Sequence, residues 1–196
     1  RPPGHIPSNI QPRAPYSGPI TPYQSIREKN NVSIHRVSGY FQWSKRTMWK
    51  DNDLWLNLGV RAHFWNVISE GFTSTNQQTI SPRGQISIKP NWKKDMLFRL
   101  SGGWYHQPPS YRELKNYLGQ INPRVKAQES FHLVLGNEYS FQLWNRPFKL
   151  TSEAYFKNLS DVNPYTVDNV RIRYRADNID TATASGIDFR LNGDFV

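Results

Sequence analysis

Hydrophobic and polar residues alternate with a period of two through most of the chain after residue 30. The clearest run covers 54–65. Leu54, Leu56, Leu58, Val60, Ala62 and Phe64 share one parity, and Trp55, Asn57, Gly59, Arg61, His63 and Trp65 share the other. Successive side chains of a strand point to opposite faces, so the pattern predicts a strand with one apolar and one polar face. It is about twice the usual strand length of 5–6 residues. A strand that crosses a bilayer needs roughly 9–11.

The same template recurs. At 32–44 it places Val37, Gly39, Phe41 and Trp43 on one face, while Val32 and Ile34 fall on the other parity, an irregularity that leaves room for a bulge. Further strands are expected at 79–89, 95–106, 130–141, 148–158, 168–176 and 184–196, which makes about eight in all. The one helical candidate is a turn or two at 111–118. Residues 1–30 contain Pro2, Pro3, Pro7, Pro12, Pro15, Pro19 and Pro22. Proline removes backbone donors, so this stretch is neither helix nor central strand. It reads as a linker, or as an ordered loop pinned by Tyr16 and Tyr23.

Connections sort by length. Short ones are expected near 46–53, 90–94 and 142–147, and long ones near 66–78, 107–129 and 158–167. An antiparallel meander through an outer membrane has tight periplasmic turns and long external loops. Trp49, Trp92 and Trp144 fall at the short turns, and Trp65 and Trp104 at the opposite strand ends. Two aromatic belts are what the two membrane interfaces select. The fold expected is therefore all-β, an up-and-down transmembrane β-barrel segment.

Composition refines this picture. No apolar run is long enough for a transmembrane helix, but barrel strands average out as polar. With no cysteine, disulfides and thiolate ligands are excluded. No secretory leader opens the chain, so an exported protein would be present here in mature form or as a fragment. The net charge of +10 raises nucleic-acid binding, but the cations spread over several strands instead of forming one stripe with stacking platforms. In a barrel, an arginine facing lipid costs roughly 2–4 kcal/mol. Arg171, Arg173 and Arg175 are therefore expected to face the lumen, with Arg61, Arg83, Arg99, Lys149 and Arg190. Glu138, Glu153 and Asp188 face the same way and partly pair with them. A basic lumen or basic loops suit an anionic solute, with Arg61, Arg99, Arg171 and Arg173 as contacts, or phosphate groups of surface lipid, or the charges merely solvate a wide wet barrel. The histidines His5, His35, His63, His106 and His132 have no ligand-type spacing. No nucleophile motif or phosphate loop appears, so neither an enzyme nor a cofactor is expected.

Several motifs carry a family resemblance: Ser81-Pro82-Arg83, the run from Trp104 through Tyr105-His106-Gln107-Pro108-Pro109-Ser110-Tyr111-Arg112-Glu113-Leu114, Asn122-Pro123-Arg124, Trp144-Asn145-Arg146-Pro147-Phe148, Glu153-Ala154-Tyr155-Phe156 and Asn163-Pro164-Tyr165. As a set, over roughly 35–196, they resemble the C-terminal part of the barrel of TonB-dependent outer-membrane receptors. The resemblance implies a 22-stranded barrel with an internal plug, in the outer membrane of a Gram-negative bacterium. It implies energised uptake of a siderophore, cobalamin or glycan through the TonB complex. The plug and the TonB box are not in this sequence, and further strands are expected after Val196. The expected partners are outer-membrane lipid, the rest of the barrel and its plug, TonB through the missing N-terminal part, and a surface lipoprotein; nucleic acid is not among them. Residues 1–30 would be an extracellular loop, and 31–196 wall strands with their loops. The 107–129 loop would meet substrate through Tyr105, Gln107, Tyr111, Arg112 and Glu113, unless Pro108, Pro109 and Tyr111 only fold it against the rim. The rival readings are a receptor-like scaffold in an outer-membrane assembly, a self-contained eight-stranded barrel, and a soluble basic binding domain.

Overall fold

The computed structural model describes residues 29–72, 75–168 and 170–193; most of the proline-rich stretch expected to form a loop lies outside them. The described residues contain no helix. The strands are β1 (Val32–Trp49), β2 (Asn52–Ser69), β3 (Thr75–Lys89), β4 (Asp95–Gln107), β5 (Gln128–Leu143), β6 (Arg146–Val162), β7 (Tyr165–Asp168), β8 (Arg171–Tyr174) and β9 (Asp180–Gly193). Seven form one antiparallel sheet in the order β1-β2-β3-β4-β5-β6-β9, and β7 pairs only with β8. The sheet is open, with β1 and β9 as its edges.

Register gives the sheet two distinct faces. One row runs Leu56–Ile86–Leu100–Leu135–Ala154–Ile187 across six strands. The next positions along the same strands form the row Asn57–Gln85–Ser101–Val134–Tyr155–Gly186. A slip of one residue would exchange these faces, so the two-residue period fixes the register. Much of the apolar face is exposed, including Phe41, Leu58, Phe64, Ile80, Leu135, Ile187 and Phe189.

At one end the strands join through tight turns. Lys50 and Asp51 have φ of 50° and 64°, and Trp144 and Asn145 have 54° and 57°. Positive φ at both central residues is the type I′ geometry, whose twist matches that of the flanking strands. At the opposite end the connections are 70–74, 108–127 and 163–179. The first is short, contrary to the long 66–78 loop expected, because β2 and β3 stay paired from Val67↔Thr75 downward.

The expected wall strand at 168–176 is a correction. Those residues fall in the β7–β8 hairpin and the chain after it, within the 163–179 connection. Four residues of strand span about 13 Å, too short for a wall element. The backbone also breaks where φ is positive, at Asp161, Val170 and Ala176. The main sheet therefore has seven strands, and Arg171, Arg173 and Arg175 are not on it.

The buried core lies on the polar face, at the long-connection end. Trp65 and Val67 of β2 cluster there with Leu114, Ile121, Val125, Ala127 and Ala176, and Val32 and Ile34 pack against the group. This accounts for the parity of Val32 and Ile34. The β1–β2 register is continuous from Val32↔Ser69 to Trp49↔Asn52, so no bulge exists. The two side chains take the polar face because the 108–127 segment covers it there. Trp65, expected in an exposed belt, is 3% exposed within this core. Trp104 does lie on the exposed apolar face, against Phe131 at 4.9 Å between ring centroids.

Candidate functional site: the loop pocket

The 108–127 segment starts with a capped turn. Ser110 N–H donates to Glu113 Oε2 at 2.6 Å, and the Leu114 N–H reaches back to the Ser110 carbonyl. This is the reciprocal half of a capping box, read from Ser-x-x-Glu. A small bridge between Lys115 and Ile121 follows. Its tip is tied by Asn116, whose Oδ1 accepts from the N–H groups of Leu118 and Gln120 at 3.0 Å, and Gly119 supplies a φ of 86°. The helix expected at 111–118 does not extend beyond the first turn.

Three asparagines fasten this segment to the 163–178 chain. Asn163, 3% exposed, donates to the Glu113 carbonyl at 2.8 Å and accepts from the Ala176 N–H at 3.0 Å. Asn122 donates to the Ala176 carbonyl at 2.7 Å. Asn178 accepts from the Lys126 N–H and donates to the Asp161 carbonyl. The sheet holds the segment from its other side: Arg36 donates to the Pro109 carbonyl, and Gln77 to those of Pro123 and Val125. Buried carbonyl and N–H groups of an irregular segment need such partners.

Between this fastened segment and the β7–β8 hairpin lies a cavity of about 560 Å³, lined by Tyr111, Arg112, Lys115, Tyr117, Arg173 and Tyr174, with Val170 and Ile172 at its hairpin side. Its charged lining is entirely basic. Guanidinium groups offer paired donors to carboxylate or phosphate, and tyrosine rings offer flat apolar faces with a polar tip. The lining thus combines cationic donors with aromatic faces.

Of the residues expected to contact substrate, Tyr111, Arg112 and Arg173 come together here. The others do not. Tyr105 lies on the wall against His132, at 4.6 Å between ring centroids. Gln107 ends β4, opposite Gln128. Glu113 is 5% exposed and is occupied by Ser110 and by Gln128, which donates to Oε1 at 2.8 Å; it holds the loop. Arg61 sits on the polar face between Tyr40 and Ser81. Arg99 pairs with Glu138 at 2.9 Å and reaches Glu153 at 3.9 Å, and Lys149 also pairs with Glu138, as expected of wall ion pairs. The backbone of Arg171 pairs with Asp168 in the hairpin; its side chain lies outside the description.

Sequence reasoning missed Lys115, Tyr117 and Tyr174. Asn116 and Gly119 were the available signal for a tight turn that presents the first two. Tyr174 was hidden by its apparent strand parity. Also missed was a chain of side chains across four strands. The Ser81 hydroxyl lies 3.0 Å from His106 Nδ1, His106 Nε2 lies 2.9 Å from Glu129 Oε2, and the Ser160 hydroxyl donates to Glu129 Oε1 at 3.2 Å. The groups are in the order of a hydrolytic triad, yet Ser81 is 5% exposed. The arrangement ties β3, β4, β5 and β6 together.

Compared with known proteins, the chain matches no family model and no curated protein.

Proposed function

We propose that this chain is part of the wall of an outer-membrane β-barrel of the TonB-dependent receptor type. In that reading it serves energised uptake of a solute of the siderophore, cobalamin or glycan class, and the loop pocket at Tyr111, Arg112 and Arg173 meets that solute. The observation that carries the reading is the apolar face running unbroken across the sheet while remaining exposed. In water, so large a patch demands a cover. In hydrocarbon it needs none, provided every backbone group is paired and the sheet closes. The edges of β1 and β9 then pair with further strands, toward the 22-stranded closure that the resemblance implies. Tight turns at one end and the long connections at the other, with Trp49, Trp92 and Trp144 exposed near the turns, support the same orientation. No helix among the described residues is long and apolar enough to cross a membrane; here the strands would cross.

Cell fractionation of the intact protein tests the membrane part: recovery with the outer membrane, released only by detergent, is expected, and recovery as soluble protein without detergent overturns it. Uptake of ferric siderophores, cobalamin and acidic oligosaccharides tests the transport part. The combined variant Arg112→Ala, Arg173→Ala is expected to lower uptake of one of them at least about tenfold at unchanged outer-membrane level. Unchanged uptake of all three removes the pocket from the proposal.

A further inference from the structure

At the tight-turn end, the apolar face carries a groove of about 390 Å³ lined by Trp49, Leu54, Ile86, Ile88, Phe98 and Leu100. Two ladder rows build it: Leu54–Ile88–Phe98 and Leu56–Ile86–Leu100. Its lining is almost wholly apolar, and the volume falls in the range of small-ligand sites, about 300–1,000 Å³. The turns at that end carry more lysines than acids, and Asp53 and Asp95 are already paired with Arg46 and Lys89. The Lys50 ammonium lies 5.3 Å from the centroid of the Trp49 ring. Trp92 meets Phe98 edge-on at 5.9 Å, and the chain continues directly into Lys93 and Lys94, both exposed. Lys45 shares the apolar-face parity of Trp43 and Trp49 and stands opposite Leu56. None of these four lysines has an ion-pair partner among the described residues.

A lysine on a lipid-facing position is stable only if its long stem lies on apolar surface and its ammonium reaches the interface. Lys45 stands on that face, exposed, one strand over from the groove and five residues before Lys50. Together they place positive charge where a lipid phosphate sits and apolar walls where its chain lies.

We propose that this groove binds one anionic phospholipid, its acyl chain against Leu54, Ile86, Ile88 and Phe98 and its phosphate group among Lys45, Lys50, Lys93 and Lys94. The proposal rests on the membrane reading above and goes beyond it, since a barrel wall needs only bulk lipid. Charge complementarity selects the occupant: zwitterionic lipid offers the same chain with no net charge for the lysines to meet.

The test is reconstitution of the intact protein into nanodiscs of phosphatidylethanolamine alone or mixed with phosphatidylglycerol, with retained lipid counted by native mass spectrometry. The wild type is expected to retain one phosphatidylglycerol in preference to phosphatidylethanolamine. The combined variant Lys45→Gln, Lys50→Gln, Lys93→Gln, Lys94→Gln is expected to lower that preference at least about tenfold. All four positions are exposed and outside the buried core, so folding is expected to be preserved. Leu100→Trp, which fills the groove, is expected to abolish retention while the charges remain. Equal retention of both lipids by the wild type, or a preference unmoved by the lysine changes, overturns the proposal and leaves the membrane reading standing. Binding of inorganic phosphate as tight as that of the lipid also overturns it, because the groove would then contribute nothing. A protein that stays soluble and never enters nanodiscs overturns both.

Discussion

Gly103 lies directly against the backbone of Arg83. A Cβ atom at Gly103 would come 2.6 Å from Arg83 Cβ and 2.7 Å from the Pro82 carbonyl oxygen. The two residues are the last pair of the β3–β4 ladder, which runs from Ile88↔Phe98 to Arg83↔Gly103 and stops. Pro82 is the next residue, and it has no N–H to give to a neighbouring strand. Beyond it, β3 pairs only with β2, and β4 only with β5. The Ser81–His106 contact spans this unpaired stretch.

Gly103→Ala is accordingly expected to destabilise the sheet by about 1–3 kcal/mol, the usual cost of overpacking, because the obstructing atoms are the Arg83 Cβ and backbone atoms, none of which can swing away. Gly39 is the control: nothing lies within 4 Å of a Cβ there, so Gly39→Ala should stay within about 0.5 kcal/mol of wild type. Heat-modifiable gel mobility of the intact protein in detergent reads both. Equal unfolding temperatures for the two variants would show that the junction yields without cost.

The sheet was legible because its physics is local. From Leu54 to Phe64, parity alone assigns the faces, and the lysine and tryptophan turns end the strands where two-residue loops allow. What was not legible depended on a cover that is distant in sequence. Val32 and Ile34 looked like a bulge, and Trp65 like a belt residue, because nothing near them shows that Leu114, Ile121 and Val125 fold over that end of the sheet. Arg173 and Tyr174 alternate like a wall strand, yet the positive φ at Val170 and Ala176 falls on residue types that do not announce it. In the pocket, the basic and aromatic residue types were readable, but the hairpin that brings Arg173 to Arg112 was not.

Asn163 is the most buried of the three asparagines that fasten the loop, and its amide meets Glu113 and Ala176 from opposite sides. Asn163→Ala leaves a buried carbonyl and a buried N–H without that partner, which costs roughly 1–3 kcal/mol. The effect should be regional. Hydrogen exchange is expected to quicken across 110–127 and 172–178 while β5 and β6 keep wild-type protection. Exchange that rises uniformly over the sheet would instead make Asn163 a determinant of global stability.

Glu138 receives both Arg99 and Lys149 on the polar face. All three groups are partly exposed, so water screens them and each pair contributes under about 1 kcal/mol. Glu138→Gln removes both pairs and should lower stability by no more than about 2 kcal/mol, and the difference from wild type should shrink between 0.05 and 0.5 M salt, a range of roughly tenfold in ionic strength. A loss of several kcal/mol that is insensitive to salt would mean that this part of the sheet's polar face is dry.

His106 bridges Ser81 to Glu129 across the gap left by Pro82. Nε2 meets the Glu129 carboxylate and Nδ1 the Ser81 hydroxyl, so the two partners orient the ring from its two nitrogens. Neither neighbour replaces the other, because each meets a different ring nitrogen. Removing either therefore deprives the ring of orientation and weakens the remaining bond. Ser81→Ala and Glu129→Gln, made singly and together in the intact protein, are expected to lose less in combination than the sum of their separate losses, with a coupling of about 0.5–3 kcal/mol. Thermal unfolding in detergent supplies the four stabilities. Strict additivity would show that the two contacts act independently, and the β3–β4 gap would then be held by the 108–127 segment through Gln77 rather than by the histidine.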